Sequence, residues 1–135
     1  MENRILVVED NEALRTIYEE ELGREGYDVV TARNGCEALV QLNDEKADLI
    51  VLDIVMPEMG GMETISHLVE KHRNIPVILY SSHPQYIEYS LSWAADAYLI
   101  KSADLKELKN KIHELLTGDR SSIVDAGGNG QKLIS

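Results

Sequence analysis

Cysteine is nearly missing from this chain: Cys36 stands alone, so neither an internal disulfide nor a cysteine cage for zinc is available. It reads as a small residue buried in a helix. No run of about eighteen apolar residues occurs, which leaves no helical membrane span. Met1 leads into a charged strand rather than an apolar leader, so no signal peptide is expected and the expected compartment is the cytoplasm. Basic residues are also few. The 13 Lys and Arg against 24 Asp and Glu leave a net charge of −11, which opposes attraction to DNA or to an anionic membrane. Direct binding of nucleic acid or of membrane is therefore not expected. From Gly118 onward, Asp119 and Asp125 cancel Arg120 and Lys132, so the excess acid belongs to residues 1–117. What remains, 135 residues with 44% apolar and 27% charged content, suits one globular domain with one core.

Arg4-Ile-Leu-Val-Val8 is a short apolar run that stops at Glu9, Asp10 and Asn11, the pattern of a buried parallel strand followed by a helix cap. Leu14, Ile17, Tyr18 and Leu22 then recur at helical spacing until Gly23 and Gly26. The unit repeats. Asp28–Ala32 reads as a second strand, and Asn34 caps a helix carrying Ala38, Leu39 and Leu42. Asp48–Leu52 is a third strand, followed by a helix over Met62–His72 with Ile65, Leu68 and Val69 inward. Pro76 opens a fourth strand over Val77–Tyr80, and a fourth helix is expected over Tyr86–Ala95. Ala97–Ile100 is a fifth strand and Leu105–Leu116 a fifth helix, with Ser102 as its N-cap. Five β-α units with short connections predict an α/β, flavodoxin-like, doubly wound parallel sheet of order 2-1-3-4-5, covered by five helices in a three-layer sandwich.

In such sheets ligands sit beyond the carboxyl ends of the strands, where strand order reverses. Here those ends are Glu9-Asp10, Asp53, Ser81-Ser82 and Lys101. Three carboxylates on one edge repel one another, each close pair by roughly 4 kcal/mol at about 4 Å near a protein surface, so a neutralising partner is required. Oxygen donors suit a hard divalent cation such as Mg²⁺, and no histidine pair stands at zinc-ligand spacing. Lys101 adds a cation for an incoming anion. That set is what Asp53 needs to attack phosphorus and form an aspartyl phosphate, with Ser81 able to donate a hydrogen bond. Taken singly, a Glu-Asp pair after a strand is a helix cap and a lone Asp is turn chemistry. Four of five strands ending in fitting residues point instead to one shared site.

At these residues the chain resembles the receiver domains of two-component response regulators, through Ile5-Leu-Val-Val-Glu-Asp10, Leu52-Asp-Ile-Val-Met-Pro57-Glu-Met-Gly-Gly61, Pro76-Val-Ile-Leu-Tyr-Ser81 and Asp96-Ala-Tyr-Leu-Ile-Lys101. The resemblance covers residues 3 to about 117. It implies that Asp53 accepts a phosphoryl group from a sensor histidine kinase or a histidine phosphotransfer protein. It further implies that Asp10 and Asp53 ligate Mg²⁺, Glu9 through water, together with the Val55 carbonyl. Ser81 and Lys101 would contact the phosphoryl group, and Tyr98 would be the aromatic switch that turns inward with Ser81. Such a domain is a two-state switch rather than an enzyme, with at most self-phosphorylation and self-dephosphorylation.

Departures from the family follow. Ser102 replaces the usual proline after the lysine, whose bond in the family tends to be cis; a non-proline cis bond costs about 2.5–4 kcal/mol, so Lys101–Ser102 is expected to be trans. Ser82 stands where alanine is common, and Val55 and His83 occupy variable positions that influence how water reaches the acyl phosphate. His83, before Pro84, reads as an exposed loop residue. On the fourth helix Ile87, Leu91 and Ala94 form the core stripe, while Tyr86, Tyr89 and Trp93 form a second one. With Tyr98 and the fifth helix, that second stripe is expected to offer a homodimer or output-partner surface. Lys106, Lys109 and Lys111 offer polar pairing to that surface, with a solvated face as the default reading. Residues 118–135, with Gly127-Gly-Asn-Gly130, read as a flexible tail or the start of a linker, so the chain is either a stand-alone regulator or a fragment. Three other readings compete. A degenerate receiver would work by contact without phosphate. A haloacid-dehalogenase-like phosphotransferase wants Asp where Val55 stands, and a flavin or nucleotide binder wants a phosphate loop where Glu9-Asp-Asn-Glu12 stands.

Overall fold

The computed structural model describes residues 3–53, 61–71, 74–82 and 95–118. Its elements are β1 (Arg4–Val8), α1 (Glu12–Arg24), β2 (Asp28–Ala32), α2 (Gly35–Asp44), β3 (Leu49–Leu52), α3 (Gly61–Lys71), β4 (Val77–Ser81), β5 (Ala97–Ile100) and α4 (Lys106–Thr117). The strands form one parallel sheet of order β2-β1-β3-β4-β5, as expected. α4 is the element anticipated as the fifth helix. The helix anticipated over 86–95 falls almost wholly outside the described residues; Ala95 lies in a bend just before β5.

The period-two alternation of a strand divides the core between the two faces of the sheet. Leu6, Val8, Ile50, Leu52, Val77 and Leu79 pack with Ala38 and Leu42 of α2 and Leu68 of α3. Ile5, Val7, Leu49, Val51, Ile78 and Tyr80 pack with Tyr18 and Leu22 of α1 and Leu108 and Ile112 of α4. Both faces of the inner strands are buried, which is why those strands read as unbroken apolar runs. α1 and α2 therefore leave β1 and β2 on opposite faces, and strand order reverses between β1 and β3. The carboxyl ends of these two strands are Val8 and Leu52, so Glu9 and Asp53 are the next residues along each chain.

Asn11 caps α1 by accepting from the Leu14 N–H at 2.9 Å, and Asn34 caps α2 by accepting from the Glu37 N–H at 2.8 Å. Three expectations need correction. Cys36 is exposed: α2 buries Gly35, Ala38 and Leu42, and Cys36 is turned about 100° from Gly35. Ile17 is 45% exposed, because the α1 stripe runs through Tyr18 and Leu22 and leaves Ile17 on its flank. Ser102 does not cap the last helix directly. Its Oγ accepts from the Asp104 N–H at 3.2 Å, and Asp104 accepts from the Lys106 N–H at 2.9 Å, while the cap position falls at Leu105, which makes no side-chain cap hydrogen bond. The Lys101–Ser102 bond is trans, as expected. Of the anticipated tail, 118–135, Gly118 is the left-handed C-cap of α4, and the residues from 119 onward lie outside the described residues.

Candidate functional site

Backbone pairing continues past the strand ends and fixes the direction of each functional side chain. The Glu9 N–H donates to the Ala32 carbonyl at 3.0 Å, the Asp53 N–H to Val8 at 3.1 Å, and the Lys101 N–H to Ser81 at 2.9 Å. The side chains converge. Lys101 Nζ lies 2.6 Å from Glu9 Oε1 and 3.1 Å from Asp53 Oδ2. Glu9, Asp10 and Asp53 each offer an oxygen within 4.8 Å of the others. Glu9 and Asp53 are 2% and 6% exposed, whereas Asp10 faces solvent. Ser81, at the end of β4, is fully buried and shares a side-chain hydrogen bond with half-buried Tyr98 on β5. Ser82 and Ser102 are exposed. Val55 and His83, with Tyr86, Tyr89 and Trp93 of the anticipated partner surface, lie outside the described residues.

Electrostatics follow from that packing. Burial pushes the Glu9 carboxyl up and the Asp53 charge adds to it, against the opposing hydrogen bond and charge of Lys101. For Lys101, burial works against the charged form, but Glu9 and Asp53 outweigh it and the ammonium is held above its ordinary range. Burial also raises the Tyr98 phenol; its bond with Ser81 opposes this and the Asp53 charge reinforces it. With all groups ionised, three carboxylates and one ammonium leave two negative charges at the site. Hard oxygen donors, one of them solvent-facing, with a residual charge of two, fit a divalent oxygen-loving cation that keeps part of its water shell.

Two fastenings of the acid loop were not legible from the sequence. The Asn11 N–H donates to Glu9 Oε2 at 3.2 Å, and Arg15 Nη1 donates to the carbonyl oxygens of Glu9 and Asp10 at 2.8 and 3.4 Å. The one available signal was an arginine on the first turns of the helix that follows the acid pair. Lys109 and Lys111, expected to be solvated, are paired: Lys109 with Glu21 at 3.0 Å and Glu25 at 3.5 Å, Lys111 with Glu114 at 2.9 Å.

Comparison with known proteins identifies the family. Residues 5–113 match the response regulator receiver domain. The alkaline phosphatase synthesis transcriptional regulatory protein PhoP of Bacillus subtilis is 34% identical over 118 residues, covering 86% of this chain and 49% of PhoP. This chain thus spans about half the length of that relative. The response regulator TrrA of Thermotoga maritima, solved with Mg²⁺-BeF, is 41% identical with a TM-score of 0.82, covering 84% of this chain and 99% of TrrA. TrrA was also solved in complex with the histidine kinase ThkA, and that structure superposes with a TM-score of 0.80 at 41% identity, covering 85% of this chain and 99% of the matched one. None of the described helices is long and apolar enough to cross a membrane. With the strand order, the converging acids and lysine, and a family match over most of its length, the chain belongs to the response regulator receiver domains of two-component systems.

Proposed function

We propose that the chain is a phosphorylation-dependent signalling switch that takes a phosphoryl group onto Asp53 from a sensor histidine kinase or a histidine phosphotransfer protein. The observation that carries this reading is the Asp53 carboxylate at the point of strand reversal, with Lys101 Nζ 3.1 Å away and Glu9 and Asp10 oxygens within 4.8 Å. The structure of TrrA with ThkA supports a kinase as the kind of donor. Asp53 attacks phosphorus; a P–O bond forms as the P–N bond of the donor phosphohistidine breaks, and the imidazole leaves with the electron pair and takes up a proton. Glu9, Asp10, Asp53 and the Val55 carbonyl would hold Mg²⁺, which when bound offsets negative charge on the phosphoryl oxygens.

The chain's own residues do the rest. Lys101 already touches Asp53, so its ammonium lies where charge accumulates on the transferred group. Ser81 shares its hydroxyl with Tyr98; on phosphorylation it turns to the phosphoryl oxygen, and Tyr98, which packs on the face of the sheet opposite α4, turns inward behind it. That exchange is the two-state element, and its output is a changed surface around β5 and α4 for homodimerisation or for a downstream partner, with Tyr86, Tyr89 and Trp93 as candidate contacts. A beryllofluoride titration followed by Trp93 fluorescence tests the reading. A saturable, Mg²⁺-dependent change that disappears in Asp53→Asn supports it; an equal response in Asp53→Asn removes it.

A further inference from the structure

Arg15 is the side chain near the site that the phosphotransfer scheme leaves unused. It lies one turn inside α1, and both its main chain and its side chain reach back toward the acid loop. Its N–H closes the first helical turn on the Asn11 carbonyl at 2.9 Å. Its Nη1 donates to the Glu9 carbonyl at 2.8 Å and, at 3.4 Å, to the Asp10 carbonyl. Among the described residues no carboxylate stands within ion-pair distance of its guanidinium. A half-buried cation thus gives its hydrogen bonds to two neutral carbonyls of the very residues whose carboxylates converge on Asp53, while its charge reaches Glu37 only from beyond ion-pair distance.

We infer that Arg15 is a positioning residue for metal binding: it holds the Glu9 and Asp10 carbonyls away from the site, so that the carboxylates of these residues present themselves to a divalent cation. The inference rests on the metal-binding reading above. Glu9 is already tied at its N–H to Ala32 and at its carboxylate to Lys101 and the Asn11 N–H. Asp10 is exposed, and the only clamp on its backbone among the described residues is Arg15. Without that clamp the peptide between Glu9 and Asp10 is free to rotate, and the Asp10 carboxylate loses its fixed approach. Rigid outer groups of this kind preorganise the ligands they touch, and their loss typically weakens metal binding by about tenfold to a hundredfold.

Mg²⁺ affinity of the full chain, measured by calorimetry without any phosphodonor, tests this beside urea unfolding. Arg15→Met should weaken Mg²⁺ binding by about tenfold or more, and Arg15→Lys, which keeps the charge but donates from a single point, should fall between Met and the native residue. Lys111→Met serves as the control: it breaks the pairing with Glu114 on α4, lowers the urea midpoint and should leave Mg²⁺ affinity unchanged. Native affinity in Arg15→Met overturns the inference. So does an affinity loss that merely tracks the urea midpoint across all three variants. Should Arg15→Met fail to fold, native affinity in folded Arg15→Lys overturns it equally. Absence of Mg²⁺ binding by the wild-type chain would instead defeat the metal-binding reading itself, and the role of Arg15 with it.

Discussion

Replacing Lys101 with methionine keeps the length of the side chain and removes its charge, which isolates what the ammonium contributes. The lysine holds Glu9 at 2.6 Å and Asp53 at 3.1 Å, and both carboxylates are nearly inaccessible. Removing one partner from a buried ion pair typically costs about 3–5 kcal/mol, because the remaining charge stays buried without a counterion. Against a domain stability of about 5–15 kcal/mol that loss is readily measured. Protonation sets an upper limit on it. Burial and the Asp53 charge already raise Glu9, and only Lys101 and the Asn11 N–H oppose them, so losing the lysine raises Glu9 further. A carboxyl raised in the folded state favours folding below its unfolded value and loses that contribution as pH rises through its folded value. Lys101→Met should therefore be destabilised most at pH 7 and recover toward the wild type as pH falls. Mg²⁺ should also recover it: a ligand at ten times its Kd adds about 1.4 kcal/mol to a folded state that alone binds it. Urea unfolding at several pH values, with and without Mg²⁺, reads all of this. A variant as stable as wild type in metal-free buffer at pH 7, or one whose deficit grows on acidification, would show that the ammonium does not hold the two acids together.

The last helix offers two further tests. Lys111 and Glu114 are 10% and 6% exposed and approach to 2.9 Å, yet Glu114 Oε1 accepts no well-directed hydrogen bond, so the contact acts through charge rather than geometry. Lys111→Met should cost about 3–5 kcal/mol in urea unfolding, and Lys111→Met combined with Glu114→Leu should recover most of it; additive losses would show that the two residues do not act as a pair. Glu21 is held below the usual carboxylate range first by its hydrogen bond with Lys109 and then by that lysine's charge. Its contribution is present above its unfolded value and fades as pH falls through its depressed folded value, so the stability gap between wild type and Lys109→Ala should shrink on acidification. A gap that widens instead would contradict the pairing.

The sheet was legible because buried parallel strands leave uninterrupted apolar runs, as Arg4–Val8 and Val77–Tyr80 do, and because caps such as Asn11 and Asn34 announce the helices that follow. The candidate site was legible for a related reason: strand order brings together the residues that end each run, so Glu9, Asp10, Asp53, Ser81 and Lys101 could be grouped without any distance. Helix faces were less so. Ile17 and Cys36 lie about one residue's rotation from buried positions, and only the neighbouring elements decide which side of that boundary is covered. Long polar side chains were least legible, since the reach of Arg15 back to Glu9 and of Lys109 across to Glu21 depends on rotamers and on α1 lying beside α4.

Whether Asp53 carries the phosphoryl group is answered by intact-mass spectrometry after incubation with Mg²⁺ and acetyl phosphate, with wild type and Asp53→Asn side by side. One added phosphoryl group is expected on the wild type, none without Mg²⁺ and none on Asp53→Asn. A wild type that gains no mass, or an Asp53→Asn chain that gains as much, would mean that Asp53 is not the acceptor.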